Sequence, residues 1–226
     1  MSNAESFLKF YLLATNLKNT LRQGPLYWNV KTERYESIAE HIYDTCILAI
    51  AVYSQFRINI DIEKVLMMLI IHELEEVVIG DITPFDNVTE DEKRIRGRQA
   101  VISLLADLKE KDELLSLTDE FNERKTPEAS FAHFCDKLDF DIQMKLYSDN
   151  NQIPFEPDGD NPIYKDGRVK NLVAEGATCA NDIFYKYDRH HYMQSPLFIN
   201  LFGYIQTVNL KELLDKYLNE LKWIDV

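Results

Sequence analysis

The stretch Ile70-Ile71-His72-Glu73-Leu74-Glu75-Glu76-Val77-Val78-Ile79-Gly80-Asp81 places an imidazole and several carboxylates inside an otherwise apolar run. The residues leading into it, Val65 to Ile71, read as part of a helix that Asp61 caps and that ends near Gly80. Burying such polar groups costs on the order of several kcal/mol unless something compensates, and a divalent cation is a common compensation. On one continuous helix His72 and Glu76, four positions apart, share a face, with Glu73 about 100° round from His72. The same acids also suit a solvated acidic face. A helix C-terminus disfavours negative charge, however, which tilts the reading towards ligands. The protease pattern HExxH is excluded, because position 76 is Glu and the second imidazole is missing.

Outward from this stretch the punctuation stays helical. Residues 5–21 carry Phe7, Leu8, Tyr11, Leu12 and Leu17 at mostly helical spacing, until Gln23-Gly24-Pro25 breaks the pattern. Ser37 with Glu40, and Thr89 with Glu92, are capping boxes that open helices to about Phe56 and across 90–110. Thr126-Pro127 opens another, to about Tyr147. Residues 149–170, with Pro154, Pro157, Gly159, Pro162 and Gly167, read as a long mobile or functional loop that could serve as a lid. Helices over 171–188 and 196–221 follow, the aromatic positions Phe198, Phe202 and Tyr204 having core spacing. The expected architecture is all-α, a single domain over 1–226 with its core at about 7–148 and extra C-terminal helices at 171–221.

Composition narrows the function. The 226 residues hold 25 basic and 38 acidic side chains, a net charge of −13, which argues against a nucleic-acid polymer as partner. A small phosphorylated ligand stays compatible, since a metal and a few local cations can reverse the field inside one pocket. The 46% apolar content supplies a sizeable core. Three cysteines, Cys46, Cys135 and Cys179, lack CxxC spacing, so a reducing, cytoplasmic setting is expected. No apolar run approaches the about 20 residues of a membrane span.

Two further helices carry candidates. His41 sits in the first turns of the Ser37 helix, where a structural histidine is the plainer reading. Asp136 lies in the apolar, aromatic segment Phe131-Ala132-His133-Phe134-Cys135-Asp136-Lys137-Leu138, where an ion pair with Lys137 is the alternative. Together His41, His72, Glu73 and Asp136 offer two nitrogens and two carboxylates, a donor set for one divalent ion such as Mn, Co, Fe, Zn or Mg.

The ordered set resembles the HD-domain metal-dependent phosphohydrolases, and within them the YfbR-like 5′-deoxynucleotidases and HDDC2-type proteins. Three segments carry the resemblance: Arg22 with Pro25-Leu26, Asn29-Val30, Thr32-Glu33 and Ser37-Ile38-Ala39-Glu40-His41; His72-Glu73-Leu74-Glu75-Glu76-Val77 with Gly80-Asp81-Ile82-Thr83-Pro84; and Cys135-Asp136-Lys137-Leu138. It implies an HD helical bundle in which His41, His72, Glu73 and Asp136 hold the metal. It further implies that Glu76 orients or deprotonates the attacking water, that Asp81 serves the water or the leaving sugar oxygen, and that Arg22 meets the substrate phosphate. The implied activity is release of phosphate from nucleoside 5′-monophosphates, and a homodimer is compatible with it.

The chain departs from the family pattern in the metal ligands and in the segment that faces the sugar. Glu73 stands where the family has Asp, moving its carboxylate outward by a methylene. Gln23 follows Arg22 where the deoxynucleotidases have a Trp that excludes the 2′-hydroxyl, and the nearest Trp is Trp28. The segment between Glu33 and Ser37 is also slightly longer. The rival readings are an HD enzyme for nucleoside triphosphates or cyclic phosphodiesters, and a non-catalytic metal or nucleotide sensor. The two-metal phosphodiesterases need additional histidines, and His133, His190 and His191 have no obvious placement for that role. The cations Lys93, Arg94, Arg96 and Arg98 read as a charged helix flank.

Overall fold

In the computed structural model, which describes residues 2–83 and 85–221, side-chain caps start most of the long helices. Ser2 and Glu5 form a capping box at α1 (Asn3–Ala14), which a 3₁₀ turn, Thr15–Asn19, continues. After the short α2 (Gln23–Tyr27), Ser37 and Glu40 form the expected box at α3 (Ile38–Phe56). The Asp61 carboxylate accepts the Lys64 amide and starts α4 (Ile62–Ile71). Then come α5 (Glu76–Ile79), α6 (Glu90–Leu105) behind the Thr89–Glu92 box, and α7 (Lys111–Glu123). Helix α8 (Pro127–Asp149) starts where the Thr126 hydroxyl accepts the Ala129 amide. The C-terminal part holds α9 (Gly167–Ala174), α10 (Ala180–Asp188), α11 (Pro196–Thr207) and α12 (Leu210–Leu221). The fold is all-α, and among the described residues the only β pairing is an isolated bridge between Leu21 and Ser37. None of the described helices is long and apolar enough to cross a membrane. Pro84, quoted in the second segment, lies outside the described residues.

The chain divides into two compact units, one of residues 1–24 and 34–139, the other of 25–33 and 140–226. The first unit packs Ile71, Leu74, Val101, Leu104 and Leu105 against Phe10, Leu13 and Ala14 of α1 and Leu114, Leu115 and Leu117 of α7. Its N-terminal segment is pinned beside the start of α3: Thr20 O accepts the Ile38 amide at 2.8 Å, and the Arg22 amide donates to Glu36 O at 2.9 Å. In the second unit Trp28 is 4% exposed, its ring edge-on to Phe184 at 4.6 Å and to Tyr164 at 6.0 Å. Phe198 and Phe202 are buried there too. The core assignment fails for Tyr204, which is 60% exposed.

Several expected boundaries move for local reasons. The helix anticipated from Asp61 to Gly80 breaks at His72, so His72 and Glu76 do not share one α-helical face. Between α4 and α5 the amides of Leu74, Glu76 and Val77 bond three residues back, to Ile71, Glu73 and Leu74, which tightens the winding and swings the acids round. The helix expected over 90–110 ends at Leu105, and α7 goes unanticipated although Thr118 and Phe121 lie buried on one side of it. Residues 149–170 are not one loop. Asn161 caps a 3₁₀ turn, Pro162–Lys165, whose Ile163 and Tyr164 are buried, and Asp166 caps α9. The pattern of 171–188 divides at Gly176, whose φ of 91° only glycine adopts freely, and that of 196–221 divides at the extended Val208.

Ser37→Ala removes the acceptor at the start of α3. It should lower unfolding stability by about 1 kcal/mol, read as a shift of the urea midpoint with unchanged slope.

Candidate metal centre

The first unit brings the four candidate ligands into one cluster. α3 supplies His41 from its first turn, the end of α4 and the following turn supply His72 and Glu73, and α8 supplies Asp136. One donor atom from each falls in a set whose members all lie within 4.8 Å of one another. His41 Nε2 is 3.1 Å from Asp136 Oδ1 and 3.8 Å from Glu73 Oε1. His72 Nε2 is 3.5 Å from Glu73 Oε1 and 3.7 Å from Asp136 Oδ1. The added methylene of Glu73 therefore still delivers its oxygen to both imidazoles.

The donor set fits a divalent cation. His72 Nδ1 lies 2.6 Å from Leu69 O, and a carbonyl can only accept, so this nitrogen carries the proton. Its Nε2 is buried and has no hydrogen-bond partner, a state that a metal bond resolves. Two imidazole nitrogens and two carboxylate oxygens facing one point are a borderline-to-hard ligand set.

The electrostatics point the same way. Burial alone would raise the Asp136 carboxyl, yet Lys137, His41 and His72 hold it well below the usual carboxylate range. Burial likewise opposes the charge on Glu73, and His72, Arg22 and His41 overcome it. Both imidazoles respond in the opposite sense. Burial and Arg22 favour neutral His41, but hydrogen bonds to Asp136 and Asp139 carry it up to about 9, and His72 is raised by Glu73 and Asp136 against its own burial. The acids thus demand compact positive charge.

The remaining candidates border the cluster. Glu76 opens α5, is buried, and has an Oε2 without a hydrogen-bond partner. Burial, then Glu73 and Asp81, push its carboxyl up to about 10. Arg22 Nη1 lies 3.6 Å from Glu73 Oε1, and Asp81, Glu73, Asp136 and Glu76 all act on the Arg22 charge. Asp81, just after Gly80, accepts the Gln23 amide at 2.6 Å, which fixes the turn that carries Arg22.

Among the neighbours of the cluster, Glu36 and Asp139 come into view only here. Lys137 pairs with Asp136 Oδ2 at 3.1 Å, so the ion pair and the cluster coexist. Asp139 accepts from His41 Nδ1 at 2.8 Å, and Glu36, His41 and Asp139 form a second three-residue grouping. The signal for Asp139 was its place one turn after Asp136 on the same helix. His133 Nδ1 is 3.8 Å from Asp136 Oδ2. His190 and His191 stand on a 3₁₀ turn of the second unit, Arg189–Tyr192. Of the charged flank, Arg94 and Arg96 pair with Asp91 and Glu92 and Arg98 with Asp119, whereas Lys93 Nζ donates to Ile82 O. Trp28 has its ring engaged in the core of the second unit, against Phe184 and Tyr164.

Known proteins are similar to this chain in sequence and in fold. The family model described as HD domain matches residues 14–172. The chain is 31% identical over 153 residues to 5′-deoxynucleotidase HDDC2 of Homo sapiens, covering 67% of this chain and 72% of that protein. It is 32% identical over 148 residues to 5′-deoxynucleotidase hdd1 of Schizosaccharomyces pombe, covering 63% and 72%. In fold it is similar to a "predicted metal-dependent phosphohydrolase" from Magnetospirillum magnetotacticum MS-1, with a TM-score of 0.58 and 20% identity over 91% of this chain and 95% of the other. It is also similar to the PH0347 protein from Pyrococcus horikoshii OT3, with a TM-score of 0.56 and 23% identity over 88% and 99%.

Divalent Co, Mn or Zn at a hundred times its Kd should stabilise the protein by about 2.7 kcal/mol, read as a rise in the thermal midpoint. His72→Ala should abolish that rise. Because protons compete for the imidazoles, apparent affinity should climb as pH goes from the ordinary imidazole value of 6.5 to about 9, the value to which His41 is drawn. Flat affinity over that range, measured by competition with a chelating dye, would contradict the ligand assignment.

Proposed function

The chain belongs to the HD-domain family, and on that premise we propose that it is a metal-dependent phosphomonoesterase that releases phosphate from nucleoside 5′-monophosphates. The observation that carries this reading is the meeting of two imidazoles, two carboxylates and a guanidinium at one buried point. The relatives named 5′-deoxynucleotidases support the choice of a nucleoside monophosphate.

His41, His72, Glu73 and Asp136 hold one divalent ion in this reading. When bound, such an ion neutralises phosphoryl oxygens and makes a water a competent nucleophile near neutral pH. The residues of the chain do the rest. Arg22 is always charged, and its planar fork meets the phosphate from beside Glu73. Glu76 stands next to the cluster with an unpartnered oxygen, and the charge of a bound cation would draw its raised carboxyl down towards the ionised form that takes the proton of the attacking water. One new P–O bond forms from water as the bond to the sugar oxygen breaks, and that oxygen collects a proton. Asp81, fixed by the Gln23 amide, serves this leaving side and holds Arg22 in place. The products are a nucleoside and inorganic phosphate.

Gln23 bears on the sugar. Its amide nitrogen donates to Leu21 O at 3.0 Å, so the side chain folds back on its own segment and presents no aromatic wall to a ribose.

Phosphate release from paired ribo- and deoxyribonucleoside 5′-monophosphates, with Mn- or Co-loaded protein, tests the proposal. Release should vanish with chelator, and paired rates within tenfold of each other would mean that position 23 tolerates the 2′-hydroxyl. Glu76→Gln should lose about 10²–10⁴ in kcat while binding metal as before. Stoichiometric metal without phosphate release would refute the esterase and favour a sensor.

A further inference from the structure

Asp139 lies outside the four-residue cluster, yet it holds one of its members. His41 has no exposed surface, and its two ring nitrogens face opposite ways: Nε2 towards Asp136 Oδ1 at 3.1 Å, Nδ1 towards Asp139 Oδ2 at 2.8 Å. Asp136 and Asp139, three positions apart on α8, project from the same side of that helix. One helix thus brackets the ring at both ends.

His72 has the same layout with a different acceptor. Its Nδ1 donates to Leu69 O at 2.6 Å and its Nε2 faces the cluster. Both imidazoles therefore commit Nδ1–H outward and keep Nε2 for the centre. A backbone carbonyl only orients the ring of His72, whereas a carboxylate also pushes electron density into the ring of His41. Partners of this kind fix the tautomer of a ligand, raise its basicity, and typically change metal affinity by about 10–100-fold when removed.

We infer that Asp139 is a positioning residue of the metal centre, which locks His41 as the Nδ1–H tautomer and makes it the stronger donor of the two imidazoles. The inference rests on the metal-binding reading above. It also decides between the two groupings around His41: with Nδ1 committed to Asp139, the set of Glu36, His41 and Asp139 does not take the ion.

Two measurements test it. In ¹⁵N NMR of the Zn-loaded, unsubstituted protein, His41 should show a protonated, hydrogen-bonded Nδ1 and a metal-bound Nε2. Zinc on Nδ1 would overturn the inference, and this readout needs no variant to fold. In Co(II) titrations Asp139→Asn, close to isosteric but uncharged, should bind about 10–100-fold more weakly with shifted visible bands. Asp139→Glu, which restores the carboxylate, should recover part of the loss. Wild-type affinity and spectrum in folded Asp139→Asn would overturn the inference alone. Failure of the unsubstituted protein to bind Zn or Co would overturn the metal reading, and this inference with it.

Discussion

Buried carboxylates crowd around two imidazoles where α3, the turn after α4, and α8 converge, and much of the first unit is arranged to make that crowding tolerable. Glu73 Oε1 alone has three positive or protonatable partners within a narrow range, His72 Nε2 at 3.5 Å, Arg22 Nη1 at 3.6 Å and His41 Nε2 at 3.8 Å. An oxygen shared so evenly belongs to none of them, and the geometry is that of groups gathered around a charge rather than of one strong ion pair. Like charges in a dry site are expensive, and the upward pull on His41, His72 and Glu76 shows how the protein meets that expense with protons. A cation does the same with one particle. Glu73 fits this picture, because from the tightened turn its long side chain brings one oxygen within reach of both imidazoles and of Arg22.

The helix starts were legible because they depend on residues close in sequence. Ser37 and Glu40, or Thr89 and Glu92, satisfy each other's backbone amides whatever the rest of the chain does. The four cluster residues were legible for a related reason, since an imidazole or a carboxylate within an apolar segment needs an explanation even before any contact is known. The turn at residues 72–75 was hidden, because the apolar pattern runs on through Val77, Val78 and Ile79 and periodicity does not report a change of hydrogen-bond span. Helix α7 was hidden by its many charges. Tyr204 had core spacing but faces out, since spacing says which residues share a side and not which side is covered.

Asp139 illustrates the deeper limit. Its bond to His41 joins residues 98 positions apart, and the one-turn spacing that sets Asp136 and Asp139 on one side of α8 does not say which partner each meets. The bond from the Gln23 amide to Asp81 is similar, since it joins residues 58 positions apart that only folding brings together. Partners that only folding brings together are thus written into the sequence less plainly than the polar residues of an apolar run.

The backbone clamp beside the start of α3 has a consequence for how this chain can change. The Leu21–Ser37 bridge, with the Thr20–Ile38 and Arg22–Glu36 bonds around it, closes a neck between the residue assigned to phosphate and the helix that carries His41. Everything from Gln23 to Tyr35 hangs from that neck as an excursion. Lengthening such an excursion adds only a few tenths of a kcal/mol of closure entropy, about 0.6 kcal/mol for a full doubling. Insertions there can therefore accumulate and reshape whatever the excursion touches, while the span from Arg22 to His41 keeps its measure. The neck makes the distance between those two residues independent of the length of the excursion.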